Sequence, residues 1–251
     1  ILLGTGVTAV IQSSSATSVM VVGFVNSGMM KMKQAISIIM GAIIGTSITG
    51  WIISLSDIGG SNGILSLLST ETLSAITAIV GIYLRLFSKK QSHHHTGDIL
   101  MGFAILMFGM KAMSSSVSSL RESEVFLTLL TQFSNPILGI LIGMVFTTVI
   151  QSASASVGIL QALSSTGVIT FEIALPIIMG IAIGASVPVL LSALGASTDG
   201  KRTALSYLVV DVLGVIVFSI LFYSLNAIIH FPFMGMSLRS VNIALVNTVF
   251  R

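Results

Sequence analysis

The chain of 251 residues is 54% hydrophobic and only 8% charged, with a net charge of +3 and no cysteine. A soluble domain usually carries about 25% charged residues, so 11 basic and 8 acidic side chains cannot cover a water-facing surface of this size. The mean hydropathy of +1.05 also indicates that most of the chain is not exposed to water. Composition therefore predicts an all-α membrane protein surrounded by a lipid bilayer. It excludes thiol and disulfide chemistry and gives no reason to expect a nucleic-acid partner.

The first apolar run is interrupted after about ten residues by Gln12-Ser13-Ser14-Ser15. Each half is shorter than the roughly 20 residues that cross a bilayer, but it suits one arm of a re-entrant hairpin. The interruption leaves a helix amino terminus whose free N–H groups attract anions. We therefore predict an anion site at Gln12, Ser13, Ser14 and Ser15. The carbonyl groups that end the first arm and the Gln12 side-chain oxygen suit a small cation such as Na⁺.

Three long apolar segments follow, at 34–56, 70–88 and 98–114, and each predicts a spanning helix. In the first of them Gly41 and Gly45 precede Thr46, Ser47 and Thr49. This pattern predicts a polar break in the helix. Carbonyl groups freed by the break, together with the hydroxyls of Thr46, Ser47 and Thr49, are predicted to complete a Na⁺ site.

Residues 143–188 repeat residues 4–49 without a gap, and 17 of the 46 aligned positions are identical. The repeat brings a second interruption, Gln151-Ser152-Ala153-Ser154, and a second polar break at Ser186 and Pro188. Interrupted segments at matching places in two halves point to a transporter's substrate site. We expect an anion at Gln151, Ser152 and Ser154, and Na⁺ at Gln151, Ser152 and Ser186.

Apolar segments at 172–194 and 203–229 predict two further spans. Asp211 is the one acid inside a predicted span, and acids there are costly and often functional, so it is a candidate coupling acid. The alternative is that it simply pairs with a neighbouring Ser or Tyr. The predicted domains are repeat 1 (1–90), a linking span and loop (91–135) and repeat 2 (136–251). Both ends lie within apolar runs, so we expect the chain to continue beyond them.

Charge placement predicts the orientation of the spans. One side receives seven basic residues and the other three, and the positive-inside rule puts the first side in the cytoplasm. An odd number of spans separates the two copies, so they are predicted to be inverted in a multi-pass protein of the inner, cytoplasmic membrane. A homodimer is left open. The seven are Lys31, Lys33, Arg85, Lys89, Lys90, Lys201 and Arg202; the other side holds Lys111, Arg121 and Arg239, with Asp57, Glu71, Glu122 and Glu124.

The stretch Gln-Ser-Ser-Ser-Ala-Thr-Ser (12–18), Gly28 and the run 38–49 resemble the type II sodium/phosphate cotransporters and their bacterial relatives. The second copy resembles that family's second motif, so the likeness covers about half of the chain. It implies Na⁺-driven uptake of inorganic phosphate, with the hairpin tips binding phosphate and Na⁺ and with no organic cofactor. The chain departs from the residues usual in the family at Ile43, Ala153, Ala182, Ala185 and Pro188, and it has Val210-Asp211 where the family has a Phe-Asn pair.

Other functions stay open on the sequence. The same scaffold could carry another oxyanion or a dicarboxylate, or a membrane subunit could sense phosphate without moving it. An intramembrane hydrolase is the weakest alternative, because every histidine lies at 93–95 or 230, away from the serines. We therefore expect no enzymatic activity. Asn26 and Gln161 are predicted to serve packing, and His93, His94 and His95 to be solvated.

Overall fold

The computed structural model describes residues 1–55, 70–118 and 135–251 and shows a helical protein. Over these residues the chain forms eleven helices, and its extended pairing is limited to an isolated bridge between Thr170 and Ser237. The predicted all-α class is therefore confirmed. In chain order the helices are α1 (Leu2–Ile11), α2 (Ser14–Asn26), α3 (Met32–Ser54), α4 (Thr70–Phe87), α5 (Gln91–Ser118), α6 (Pro136–Ile150), α7 (Ala153–Ser164), α8 (Phe171–Ala185), α9 (Val187–Ser192), α10 (Thr198–Ile229) and α11 (Ser240–Phe250).

Each copy of the sequence repeat folds in the same way. Two short helices meet at a glutamine, α1 with α2 at Gln12 and α6 with α7 at Gln151, and a long helix follows. The chain leaves the second short helix through Gly28 in one copy and Gly167 in the other, with φ of 76° and 74°. Glycine adopts this left-handed conformation without steric cost. The repeat in sequence is therefore also a repeat in backbone conformation.

Glycines hold the first short helix of each copy directly against the long helix. A Cβ atom on Gly4 would overlap the backbone carbonyl of Ile38 in α3, and one on Gly143 would overlap the equivalent carbonyl of Ile177 in α8. Each long helix makes the reverse approach through a glycine of its own, Gly41 or Gly180. Small residues allow membrane helices to pack this closely. Backbone contact therefore sets the position of each tip relative to its long helix.

The two copies share one core and exchange contacts across it. Helix α7 packs on its own α8 and also on α3, while α2 packs on its own α3 and also on α9. Helix α10 packs on α2, α3 and α8, and α11 packs on α3, α7 and α8. The core clusters join side chains from all of these helices, with Ile39 and Tyr207 among the largest that are fully buried. Elements of both copies thus enclose the same interior.

Among the residues that the structure describes, three helical stretches are long and apolar enough to cross a membrane: Met32–Ser54, Phe171–Ser192 and Thr198–Ile229. They match the predicted spans at 34–56, 172–194 and 203–229. The predicted spans at 70–88 and 98–114 correspond to α4 and α5, which pack along each other and are joined by an ion pair between Arg85 and Asp98 at 3.2 Å. Within the described residues these two helices do not pass the same length and hydropathy test.

The predicted break in the long helix of the first copy is wrong, because α3 runs without interruption from Met32 to Ser54. The break predicted in the second copy is confirmed at Ser186, between α8 and α9. Pro188, two residues after the break, has no N–H to donate to the carbonyl of Gly184, whereas every residue of α3 keeps its backbone donor. Pro176 also lacks this donor, but α8 continues through it.

The seven basic residues predicted to face the cytoplasm are all exposed. The structure describes His93 as exposed and His94 as half-buried, with their rings hydrogen bonded to Ser88. Several of the charges used to predict orientation, Asp57, Arg121, Glu122 and Glu124, lie outside the described residues, as do the side chains of Glu71 and Lys111.

Candidate functional site

The first tip joins a strained turn to a capped helix. Gln12 ends α1 in the left-handed conformation, with φ 60° and ψ 25°, and its N–H donates to the carbonyl of Thr8 at 2.7 Å. The hydroxyl of Ser13 then accepts a hydrogen bond from the N–H of Ala16 at 3.1 Å. This cap satisfies one of the free N–H groups at the start of α2. The rest of the first turn, at the positive end of the helix dipole, remains suited to an anion.

The second tip has the same geometry. Gln151 has φ 59° and ψ 21°, and the hydroxyl of Ser152 accepts from the N–H of Ala155 at 3.2 Å. Ser154, in the first turn of α7, is half-buried. In each tip a hydrogen bond between hydroxyl groups joins the two short helices. Thr8 donates to Thr17 at 3.1 Å in the first copy, and Thr147 donates to Ser156 at 2.9 Å in the second. Both tips are therefore held by hydrogen bonds between local residues.

Left-handed backbone at a glutamine is unusual. Among the described residues other than glycine, only Gln12, Gln151 and His230 have positive φ. The conformation costs roughly 1–2 kcal/mol for a residue with a Cβ atom, and such strain concentrates at functional sites. Glycine would relieve it, yet both copies have glutamine at the strained position. The amide side chain is the property that glycine cannot supply.

The two tips differ in their surroundings. The Oε1 atom of Gln12 is buried and has no hydrogen-bond partner among the described residues, whereas Gln151 is exposed. The hydroxyl of Ser15 lies 3.5 Å from the carbonyl oxygen of Ala185, which is the last residue before the helix break. The first tip therefore lies against the break that belongs to the second copy. This contact brings residues 170 positions apart in the chain into one site.

The hydroxyls predicted to hold Na⁺ fall into two groups. Ser47 and Thr49 of α3 have buried hydroxyl oxygens with no hydrogen-bond partner among the described residues. Thr46 instead donates to the carbonyl of Ala42 at 3.3 Å, and Ser186 donates to the carbonyl of Ile183 at 2.7 Å. Because α3 is unbroken, it offers a cation hydroxyl oxygens rather than the free carbonyl groups that the sequence suggested.

In the part of the chain that the structure describes, no three His, Cys, Asp or Glu residues lie close enough together to hold a metal ion. The polar side chains at the two tips are hydroxyl and amide groups, which carry no formal charge. The amide nitrogen of Gln161 donates to the carbonyls of Gly50 and Ser240 at 3.0 Å each, while its Oε1 atom is buried and has no hydrogen-bond partner among the described residues. The packing role predicted for Gln161 agrees with these bonds.

A group of polar residues on α10 and α11 was only partly anticipated. Asp211 is 5% exposed, and Tyr207, one turn earlier on α10, is fully buried. The Tyr207 hydroxyl lies next to Ser14 of the first tip and next to the guanidinium group of Arg251, which in turn interacts electrostatically with Asp211. The sequence indicated Asp211 and, as an alternative, its pairing with a neighbouring Ser or Tyr, but it did not indicate Arg251. No local pattern connects Arg251 with a tip more than two hundred residues away.

The sequence profile of the Na⁺/Pi-cotransporters matches residues 1–115 and 105–242. The chain belongs to the Na⁺/Pi-cotransporter family. The resemblance seen at the two tips is therefore confirmed as family membership. The two matched ranges each contain one tip, so the family's pattern occurs twice in the chain, as the internal repeat does. No solved structure shows a significant match to the fold.

Bacterial relatives cover most of this chain, whereas a human relative covers one part of it. YjbB of Salmonella typhimurium, provisionally named an inorganic phosphate export protein, is 25% identical over 85% of the chain and 37% of its own length. YqeW of Bacillus subtilis, an uncharacterized protein, is 26% identical over 83% of the chain and 64% of its own length. Human sodium-dependent phosphate transport protein 2B is 46% identical over 24% of the chain and 9% of its own length. The chain thus spans less than two thirds of the relatives that it matches.

Proposed function

We propose that this chain is the transport core of a secondary active transporter that carries inorganic phosphate across the cytoplasmic membrane together with Na⁺. Family membership supports the proposal, and the paired tips carry it. Each tip combines a strained glutamine, a serine cap and a helix amino terminus, which is what recognition of an anion without formal positive charge requires. In this proposal the two copies are inverted and the tips are re-entrant, so that the site opens alternately to each side.

Phosphate is proposed to bind at the amino termini of α2 and α7. The residues that would contact it are Gln12, Ser13, Ser14, Ser15, Gln151, Ser152 and Ser154. Hydroxyl, amide and backbone N–H donors match the acceptor oxygens of a phosphate ion. Ser13 and Ser152 already accept a backbone hydrogen bond through their oxygen atoms, and their hydroxyl hydrogens remain free to donate to an anion.

Na⁺ is proposed to bind on the long helices beside the tips. The buried, unpartnered hydroxyls of Ser47 and Thr49 are the best supported ligands. Ser186 and the carbonyl of Ala185 at the helix break would contribute from the second copy, next to Ser15. Moving phosphate into a dry interior is costly without compensating charge. Cations bound within a few ångströms would supply that charge, which is the physical basis for coupling.

The direction of transport is tested with the activity itself. The relatives' names include both sodium-dependent phosphate transport and phosphate export. We expect an inward Na⁺ gradient across proteoliposomes containing the complete protein to drive accumulation of radiolabelled phosphate, and an outward gradient to drive its loss. Phosphate movement that ignores the Na⁺ gradient would contradict the symport proposal and favour an exporter. Binding of phosphate without any flux would favour a sensor.

The cargo is tested by competition in the same vesicles. Excess arsenate is expected to compete with phosphate because it has the same shape and charge, whereas sulfate and succinate are expected to leave uptake unchanged. Ser152→Ala should reduce uptake by at least about tenfold if its hydroxyl contacts the ion. Ser165→Ala is the matched control, because Ser165 is an exposed serine beyond the far end of α7. Equal loss in both variants would argue against a phosphate site at the tip.

A further inference from the structure

The polar side chains on α10 and α11 form a second set of ligands facing the first tip. Tyr207 and Asp211 lie one turn apart on α10, and Asn247 and Arg251 have the same spacing at the end of α11. A spacing of four residues places both members of each pair on one side of their helix. Tyr207 and Asn247 are 0% exposed and Asp211 is 5% exposed. Four polar residues thus point into the interior rather than toward lipid.

Several atoms of these groups make no hydrogen bond of good geometry among the described residues. They are the hydroxyl of Tyr207, one carboxylate oxygen of Asp211, both side-chain polar atoms of Asn247 and all three guanidinium nitrogens of Arg251. The Tyr207 hydroxyl does lie within interaction range of Ser14 and of the Arg251 guanidinium group. Each of these atoms is shielded from solvent. Arg251 and Asp211 interact electrostatically, but no hydrogen bond joins them. The cluster is therefore charged, buried and incompletely satisfied.

Burying the guanidinium group of Arg251 in this environment is energetically unfavourable. Burial of a charge without hydrogen-bonded compensation is strongly unfavourable, and a carboxylate that is not hydrogen bonded to it offsets only part of that cost. A buried charged group of this kind is stabilised when a bound ligand completes its hydrogen bonds. The guanidinium group has five donors arranged in a plane, and this geometry matches two oxygens of a tetrahedral oxyanion. The ligand that best completes the cluster is therefore an anion with several oxygen atoms.

We propose that Arg251 and Tyr207 form the second half of the anion site, facing the amino terminus of α2. The inference rests on the proposed function and extends its phosphate site beyond the two repeats. Ser14 connects the halves, because it belongs to the first turn of α2 and its side chain lies next to the Tyr207 hydroxyl. Phosphate between them would receive donors from the helix terminus and from the guanidinium group.

Asp211 then determines the charge of the site before phosphate arrives. When it is ionised, its carboxylate balances the guanidinium group of Arg251, and the pair then carries no net charge. An entering phosphate ion therefore brings negative charge that the protein has not compensated, and bound Na⁺ must compensate it. Removing the Asp211 charge should reduce this demand for Na⁺. The pair thus links anion recognition to the cation requirement.

The first experiment measures phosphate uptake by the complete protein in proteoliposomes under an inward Na⁺ gradient. Arg251→Gln is expected to raise the KM for phosphate by at least about tenfold, since hydrogen bonds to a charged group are lost. Arg251→Lys should raise it less, because the charge remains while the planar geometry is lost. Arg239→Gln, a change at an exposed arginine preceding the same helix, should leave the KM unchanged. An unchanged KM in Arg251→Gln would overturn the inference.

A double variant separates anion binding from simple neutralisation of Asp211. If Arg251 serves only to neutralise the carboxylate, the combination Arg251→Gln with Asp211→Asn should restore the wild-type KM, and the inference would be overturned. If Arg251 contacts the anion, the double variant should keep the raised KM. Asp211→Asn alone should lower the Na⁺ concentration needed for half-maximal uptake. An unchanged or increased Na⁺ requirement would contradict the role given to Asp211.

Equilibrium binding distinguishes failure of this inference from failure of the proposed function. Wild-type protein that moves no phosphate on a Na⁺ gradient would defeat the transport proposal. Equilibrium dialysis of purified protein against radiolabelled phosphate would still test whether Arg251 contributes to phosphate binding. Weaker binding by Arg251→Gln than by Arg239→Gln supports the inference. Equal binding by the two variants, or no phosphate binding by the wild type, overturns it.

Discussion

Gln12 and Gln151 each hold a left-handed backbone that costs roughly 1–2 kcal/mol, and a glycine would remove that cost. We therefore expect Gln12→Gly to unfold at a temperature equal to or higher than that of the wild type, while phosphate uptake falls at least tenfold. Gln12→Ala keeps the strain and loses the amide, so its unfolding temperature should fall below that of Gln12→Gly. Thermal unfolding in detergent and uptake by vesicles measure the two effects. Full uptake by Gln12→Gly would show that the amide has no role.

The serine caps allow structure and ligand binding to be separated at one residue. Asparagine and aspartate both cap helices as well as serine does, so Ser13→Asn and Ser13→Asp should both keep the unfolding temperature close to that of the wild type. Aspartate also places a negative charge where phosphate is proposed to bind. Uptake should therefore be lost in Ser13→Asp and partly kept in Ser13→Asn. Similar uptake by the two variants would place the anion elsewhere.

At the residue scale, sequence could predict what is local. The interruption, its glutamine and serines, and their repetition 139 residues later are visible in the chain, and the structure forms both tips there. Burial of Asp211 was also predictable, because the acid lies inside an apolar segment. The position of Arg251 beside Tyr207 was not predictable, since it depends on how α10 and α11 pack on the repeats. Side chains that meet only through tertiary packing leave no pattern in the chain.

At the scale of the elements, glycines position the tips, and α1 contains its own control. A methyl group on Gly4 would overlap the carbonyl of Ile38, so Gly4→Ala must push α1 away from α3. We expect a lower unfolding temperature and reduced uptake. Gly6 is on the same helix with no atom within 4 Å of its would-be Cβ, so Gly6→Ala should stabilise the helix by about 0.5–1 kcal/mol. Equal effects of the two substitutions would argue against backbone contact between α1 and α3.

The long helices show where sequence patterns reach their limit. Glycines and small polar residues predicted a break in both copies, but only the copy with a proline has one. Glycine weakens a helix without removing a hydrogen bond, so surrounding packing can keep it continuous, whereas proline removes a donor. Helix α8 continues through Pro176 but ends at Ala185, shortly before Pro188. The asymmetry between the copies at this point therefore coincides with Pro188. It also gives the two candidate cation sites different ligands.

At the scale of the whole molecule, alternating access requires the tips to move relative to other helices. A cleft of about 310 Å³ lies between the end of α2 and the connection from α9 to α10, and Asn26 and Ala196 are among the residues that line it. The cleft is spanned at one side by a hydrogen bond from the N–H of Ser197 to Asn26 at 2.6 Å. This contact joins the first hairpin to the start of α10. If α10 belongs to the stationary part, the contact must break during transport.

A disulfide across this contact tests the movement. The Cβ atom of Asn26 lies 3.6 Å from the position that a Cβ on Gly200 would take, which is within the usual range for a disulfide. A Cβ there would also approach the methyl group of Ala196 at 2.9 Å, so Ala196→Gly accompanies Asn26→Cys and Gly200→Cys. We expect oxidation to stop phosphate uptake and a reductant to restore it.

The control for this disulfide is one that joins two parts of the same hairpin. Thr147→Cys with Ser156→Cys replaces side chains that are hydrogen bonded at 2.9 Å within the second copy. Because α6 and α7 are proposed to move together, oxidation of this pair should leave uptake at the level of the reduced protein. Inhibition by both disulfides would mean that each hairpin also changes shape internally. If uptake continues after the disulfide between α2 and α10 has formed, the first tip and α10 move together. The boundary between moving and stationary helices would then lie elsewhere.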